Sequence, residues 1–350
     1  NFNQAFLYLD SAKKVNEKGR TDNYELSKSY IGLAYIYRER SLRSSIDEAV
    51  LKLDSIYNLV SYSDLVPYIN FIKAFQNEFI QPALTDSLYQ YAINNINSNN
   101  PDILDFYTRY IDFLIESRRK DEAKAQLSIA LDLVEKKFGS YKNKYGDLLC
   151  EYGFYFYYFG DYEKSIEIYN TQLLPLIDQR SYNSNDRYLH AEYFRMSSWS
   201  YNVIGELQKS LEYNFLYLKL IKDFHSPVFY RYTETYIKIS NIYNTLGHYE
   251  IAKVYLDRAI EISEIQDNYV TKLKGLFHKG KVELKLRKYD KSIETLNKAI
   301  ETERKHLGIQ VYEGFCNCYI AQSYDQQNFY DSASYYYSNC ISILDERYQS

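Results

Sequence analysis

Four side chains near the middle of the C-terminal half share one helical face. Lys274, His278, Lys281 and Lys285 are spaced 4, 3 and 4 apart, so a helix would line them up in a stripe. Such a stripe can hold a carboxylate through charge-assisted hydrogen bonds. Residues 272–305 around it carry eleven Lys/Arg against five Asp/Glu, a local excess of six positive charges. A second stripe, Arg195, Trp199 and Asn202, has spacings of 4 and 3 and includes the only Trp of the chain. A third has the opposite sign: Asp105, Asp112 and Glu116 share a face, with Arg109 among them. These residue types suit binding. A lysine stripe is also what a plain solvated helix face looks like, and Trp199 suits packing between helices equally well.

Motifs for bond-making chemistry are missing. There is no Gly-rich phosphate loop, no His-Glu-x-x-His, no nucleophile elbow and no calcium loop. The five histidines, His190, His225, His248, His278 and His306, never stand four apart as a helical metal site would have them. The reading is therefore of a non-enzymatic segment without metal or cofactor. Its formal net charge of −4 gives no global pull toward nucleic acid, although the 272–305 stretch keeps a salt-sensitive contact open as a weaker alternative.

The stripes need long helices to carry them. Only 12 Gly and 5 Pro in 350 residues leave few breaks in secondary structure. The 42 Tyr supply rings that can pack between helices or line a groove. The four cysteines, Cys150, Cys316, Cys318 and Cys340, have no zinc spacing and are too sparse for a disulfide framework. They read as buried or half-buried thiols, with Cys316 and Cys318 on nearly opposite faces, and favour a reducing, cytoplasmic compartment. No apolar run is long enough to span a membrane. The sequence starts at Asn1 and its single Met is Met196, which leaves an upstream signal or anchor open.

A repeat organises the helices. Gly153, Gly160, Tyr162 and Ser165 set the pattern: a small residue, a turn Gly, an aromatic residue or Leu, and a second small residue. It returns as Ser198, Gly205, Leu207 and Ser210, then as Ser240, Gly247, Tyr249 and Ala252. It returns again as Gly280, Tyr289, Ser292 and Ala299, and as Ala321, Tyr330, Ala333 and Cys340. In these last two copies Arg287 and Asn328 stand where the turn Gly should be. Ile111, Ala123, Leu127 and Ala130 fit loosely upstream, and Phe2, Ala5, Leu9 and Ala12 match a second half without its first helix. Small residues let helices approach closely, and Gly accepts turn angles that a Cβ resists. A single helix pair cannot bury its own apolar face, so the pairs must stack.

The pattern resembles the tetratricopeptide repeat. Its signature reads best as Tyr152-Gly153, Phe156, Gly160, Tyr162 and Ser165, and again as Ile31-Gly32 and Tyr35. Unit starts near 104, 146, 191, 233, 273 and 314 give repeats of 40 to 45 residues, longer than the common form of about 34. That length is similar to the kinesin-light-chain variety, to bacterial peptide-sensing regulators and to the repeats before CHAT-type protease domains. The resemblance implies an all-α, right-handed superhelical solenoid of antiparallel helix pairs, continuous along the chain. Residues 1–20 would be the second helix of a truncated repeat and 21–100 atypical repeats. The region 101–350 would hold six units, at about 104–138, 146–180, 191–223, 233–265, 273–305 and 314–347. Departures are Lys279 and Glu283, where apolar residues are preferred, an insertion between Glu39 and Ile46, and Pro67 and Pro82 bounding a helix.

In this family the first helix of each unit lines a concave groove. Carried over position by position, the groove would contain Asp105, Asp112, Glu116, Arg195, Trp199, Asn202, Lys238, Asn241, Asn244, Lys274, His278, Lys281 and Lys285. The Asn side chains can pair with both the N–H and the C=O of an extended peptide. Arg195 is followed by Trp199 and Lys274 by His278, which departs from the carboxylate-clamp pattern of some members. The resemblance implies a protein- or peptide-binding scaffold, with acidic partner segments on the lysine stripe. Two alternatives are the regulatory half of a larger enzyme, a CHAT-type protease or a signalling kinase, and a peptide-pheromone-type sensor.

Overall fold

The computed structural model describes residues 9–11, 13–14, 23–39, 43–59, 63–78, 80–177, 184–222, 230–306 and 312–349. The half-repeat expected at 1–20 lies largely outside these residues, and so do residues 40–42 of the insertion expected between Glu39 and Ile46. The described chain is helical throughout and divides into two compact units, residues 1–200 and 201–350. Among the described residues no helix is long and apolar enough to cross a membrane.

Unit 1 begins with the pairs α1 (Asn23–Glu39) with α2 (Arg43–Leu59) and α3 (Val66–Asn77) with α4 (Pro82–Asn95). Pro67 and Pro82 each sit in the first turn of a helix, where the missing N–H costs nothing and the fixed φ is already helical. Next come α5 (Ile103–Glu116) with α6 (Lys120–Leu133) and α7 (Lys142–Tyr158) with α8 (Tyr162–Ile168). Both α6 and α8 run on into a wider turn of π type, at Val134–Phe138 and Tyr169–Leu173. Helix α9 is Ser184–Val203. Unit 2 contains α10 (Leu207–Lys222), then α11 (Tyr230–Thr245) with α12 (Tyr249–Ile265). It continues with α13 (Tyr269–Lys285) and α14 (Tyr289–His306), and with α15 (Glu313–Asp325) and α16 (Tyr330–Gln349).

Six of the hairpin turns, from the α5–α6 turn onward, are built the same way. Arg118, Gly160, Gly205, Gly247, Arg287 and Asn328 all take positive φ, between 58° and 91°. The residue after each donates its N–H back five positions, as in Arg119 to Leu114, Asp161 to Phe156, Lys288 to Glu283 and Phe329 to Tyr324, at 2.8 to 3.0 Å. This left-handed cap satisfies a carbonyl that the helix end would otherwise leave free. Arg287 and Asn328 therefore hold the conformation of the glycines they replace, and Arg287 does so against the steric preference of a residue with a Cβ.

The small positions are where helices meet. Ser198, Ser240 and Ala321 on first helices, and Ser165, Ser210, Ala252, Ser292 and Ala333 on second helices, are all buried. At Gly153 a Cβ would come within 2.2 Å of the Tyr169 ring. That ring is fully buried, and its hydroxyl donates to the Cys150 carbonyl at 3.2 Å. The two polar departures also have physical reasons. Lys279 reaches Asp257 at 2.7 Å, and the buried Glu283 accepts a hydrogen bond from Thr295 Oγ1 at 2.7 Å.

The cysteines correct one expectation. Cys318 and Cys340 are joined by a disulfide, their Cα atoms 5.3 Å apart across the α15–α16 pair. Only Cys150 and Cys316 are free, and both are buried. Residues 22 apart in sequence become neighbours because antiparallel helices fold back on each other. With this pair bonded, the cysteines no longer argue for a reducing compartment.

Candidate functional site

Unit 1 gathers charge on the side formed by its first helices, α5, α7 and α9. Helix α5 packs on α7, and α9 packs on α7 through Leu189 beside Gly146 and through Trp199 beside Tyr157 at 5.8 Å. From α5 come Asp105, Arg109 and Asp112, from α7 Lys144, Asp147 and Glu151, and from α9 Glu192 and Arg195. Five carboxylates thus share a face with three cations.

Most of these charges are matched. Lys144 Nζ lies 2.9 Å from Asp102 and 2.5 Å from Asp105. Burial still pushes the Asp105 carboxyl up, outweighing the pull of Lys144. Arg109 lies 4.0 Å from Asp112. Arg195 donates to the buried Glu192, its Nε at 2.9 Å, and its guanidinium covers the Trp199 ring at 4.6 Å.

Asp147 and Glu151 are not matched. They stand one turn apart on α7, facing the carboxylates of both neighbouring first helices. Glu151 Oε2 is buried without a hydrogen-bond partner. Among the described residues Asp147 makes no hydrogen bond or ion pair. Burial, with Asp105 and Glu192 adding repulsion against the pull of Arg109 and Lys144, raises Asp147 to about 7. Burial also drives Glu151 well above the usual carboxylate range, with Asp112 and Glu192 adding to it and Arg109 and Arg195 opposing. A buried carboxylate without a donor is costly, and a cation or donor supplied from outside would relieve it.

The remaining residues singled out in the sequence fall into two groups. In unit 1, Glu116 is exposed at the end of α5 and its carbonyl accepts from Tyr158 at 3.4 Å. In unit 2, Lys238, Asn241 and Asn244 on α11 are half-buried, and Asn244 Oδ1 is buried without a hydrogen-bond partner. Lys274, His278, Lys281 and Lys285 follow one face of α13, and Lys274 and Lys285 form no ion pair among the described residues. Lys281 lies over the rings of Phe277 at 5.2 Å and Tyr319 at 5.1 Å. Burial, with help from Lys281 and Lys274, lowers His278 to about 4, so this imidazole is neutral at physiological pH. Asn202 is exposed and belongs to unit 2, while Arg195 and Trp199 belong to unit 1.

Sequence reasoning passed over Asp147, Glu151 and Glu192, although the signal was present. The register that selects Asp105 and Lys274 at the second position of their units also selects Asp147 and Glu192. The sixth position selects Glu151. Asp/Glu residues are abundant on solvent faces, and that abundance hid the three that face one another.

A tetratricopeptide-repeat family model matches residues 233–266 and 273–306. No curated protein matches the sequence. Among solved structures, one similar fold is a signal transduction ATPase with numerous domains from Pyrococcus horikoshii, which has a tetratricopeptide-repeat sensor. It is 14% identical with a TM-score of 0.66, and the match covers 98% of this chain and 54% of that one, so this chain spans about half its length. The apo form of RapI is 15% identical with a TM-score of 0.65, covering 92% of this chain and 87% of that one. A Rap protein complexed with Competence and Sporulation Factor is 12% identical with a TM-score of 0.60, covering 93% and 99%. At these identities the likeness establishes the fold.

Proposed function

We propose that this chain, a stack of tetratricopeptide repeats, is a regulatory binding module that takes a peptide or protein on the first-helix faces of its units. One observation carries the reading: Asp147 and Glu151 hold carboxyl oxygens in a packed face without a donor to satisfy them. A structure that served packing alone would have no use for such a pair. A Lys or Arg of a partner would supply both the missing charge and the missing hydrogen bonds. Trp199, under Arg195, offers an apolar surface on the same face.

The lysines of α13 favour a second contact. Lys274 and Lys285 are unpaired cations that suit an acidic segment of the partner, and Asn241 and Asn244 suit its backbone. The likeness to a Rap protein bound to a peptide factor and to the repeat sensor of a signalling ATPase supports a sensing role. In that role the activity being regulated would belong to other domains or to the partner.

The test is a displayed random-peptide selection against the whole chain, followed by fluorescence anisotropy. Selected peptides should carry a basic residue whose affinity contribution disappears in the Asp147→Asn/Glu151→Gln double variant. Lys274→Glu/Lys285→Glu should weaken peptides with acidic segments. If both double variants bind every selected peptide as the unaltered chain does, the first-helix faces are not the binding surface.

A further inference from the structure

On its second-helix side, unit 2 has a cavity of ≈ 390 Å³ walled by α14 and α16 and floored by α15. That volume lies in the range of small-molecule sites. Asn317 lies in the floor and is 5% exposed, yet its carboxamide makes no hydrogen bond among the described residues. Its two donors and its acceptor keep what little exposure the residue has, so they are open to whatever enters the hollow. Asn297 on one wall and Asn339 and Ser342 on the other make no hydrogen bond among the described residues either; Asn339 is half-buried, and Asn297 and Ser342 are exposed at the mouth. Four polar side chains from three helices thus line one hollow, with the buried Asn317 at its floor.

The lining also narrows the chemistry. Among the described residues its only charges, Arg304 and the buried Glu313, are bonded to each other, so no spare cation of the lining waits for a phosphate or carboxylate. The lining is too rich in amides for an apolar ligand. The wall from Asn297 to Arg304 spans about 10 Å of helix, room for only about three extended residues, so the hollow suits a compact ligand better than a passing peptide. Tyr335, 63% exposed, and Tyr336, stacked on Tyr324 at 5.5 Å, bring aromatic rings to the rim. Carboxamides pair with neighbouring hydroxyls as donor and acceptor together, and an aromatic ring packs against the C–H face of a sugar.

We propose that this cavity is a binding site for a neutral carbohydrate, its hydroxyls paired with the carboxamides of Asn317, Asn297 and Asn339 and a ring face set against Tyr335. The site is separate from the first-helix faces and does not depend on them. The experiment is an array of neutral and charged glycans probed with the whole chain, followed by calorimetric titration of maltose, lactose and diacetylchitobiose. At least one neutral glycan should bind, and Asn317→Leu should weaken it by about tenfold, the worth of roughly one to two hydrogen bonds. Asn339→Ala, on the wall, should weaken it by a similar factor and carries the test if the floor variant fails to fold. Asp147→Asn/Glu151→Gln should leave glycan binding unchanged. The proposal is overturned if no neutral glycan binds, if binding survives both cavity variants, or if only charged glycans or peptides compete for the cavity.

Discussion

Replacing Asp147 by Asn should make the protein more stable in mild alkali while changing little in mild acid. The carboxyl is lifted from an ordinary aspartate value of 3.8 to about 7 in the folded chain. Between these values the folded state binds a proton that the unfolded state has released, so folding stability falls as pH rises through this window. Below 3.8 both states are protonated and above 7 both are ionised, so the full cost is present only at the alkaline end. A lift of this size corresponds to about 4 kcal/mol at complete burial. The carboxyl keeps some contact with solvent, so about 2 to 4 kcal/mol is the expected size. Asn mimics the protonated form at every pH and removes the cost. Urea unfolding followed by circular dichroism at pH 4, 6 and 8 measures it. The gap between variant and unaltered chain should be near zero at pH 4, open through pH 6 and level off by pH 8. A gap that stays constant with pH, or one that closes as pH rises, would refute the account of Asp147 as a buried carboxyl crowded by Asp105 and Glu192.

The other expectations concern turns, packing and a histidine. Arg287→Gly should stabilise the chain by about 0.5 to 1 kcal/mol, since φ of 58° strains a residue with a Cβ, and the added freedom of unfolded Gly returns part of the gain. Gly160→Ala, at φ of 91°, should cost about 1 kcal/mol or more; thermal melts of both variants provide the measure. Gly153→Ala should cost about 1 to 3 kcal/mol, because its Cβ would lie 2.2 Å from the buried Tyr169 ring; a melt equal to that of the unaltered chain would mean the ring can move aside. His278, lowered to about 4, should remain neutral in an NMR titration down to pH 5. Because its folded value is depressed, the stability it contributes is lost as pH falls from 6.5 toward 4, and a midpoint near 6.5 would contradict its burial between Lys274 and Lys281.

Much of the fold was legible in the residues because its determinants are local and recurrent. These turns need one residue in the left-handed region; the repeat marks it at 160, 205, 247, 287 and 328, and the structure adds 118. The period it defines, 42, 45, 42, 40 and 41, matches the spacing of the repeat starts. Small residues recur at fixed distances from those turns because close helix approach demands them on both helices of a pair. Arg287 and Asn328 could be placed in the turn by register alone; Asn328 tolerates the left-handed region, and Arg287 holds it against its own preference.

The chemistry of the faces depends on distance between units, and sequence spacing does not measure that. Asp147 differs from the solvated carboxylates because packing buries it, and Asp105 and Glu192, 42 and 45 positions away, then add their repulsion. Lys144 was free to face solvent until packing set it between Asp102 and Asp105. Cys318 and Cys340 form a bond because the hairpin brings them together. Asn297, Asn317 and Asn339 are ordinary polar helix residues until three helices turn them into one cavity. By itself the sequence determined the repeat, its length, its turns and the faces that pack, since each is enforced within one helix pair. The unmatched carboxylates, the disulfide and the amide-lined hollow were decided only by tertiary structure, because burial and electrostatics act through space between residues that no local rule relates.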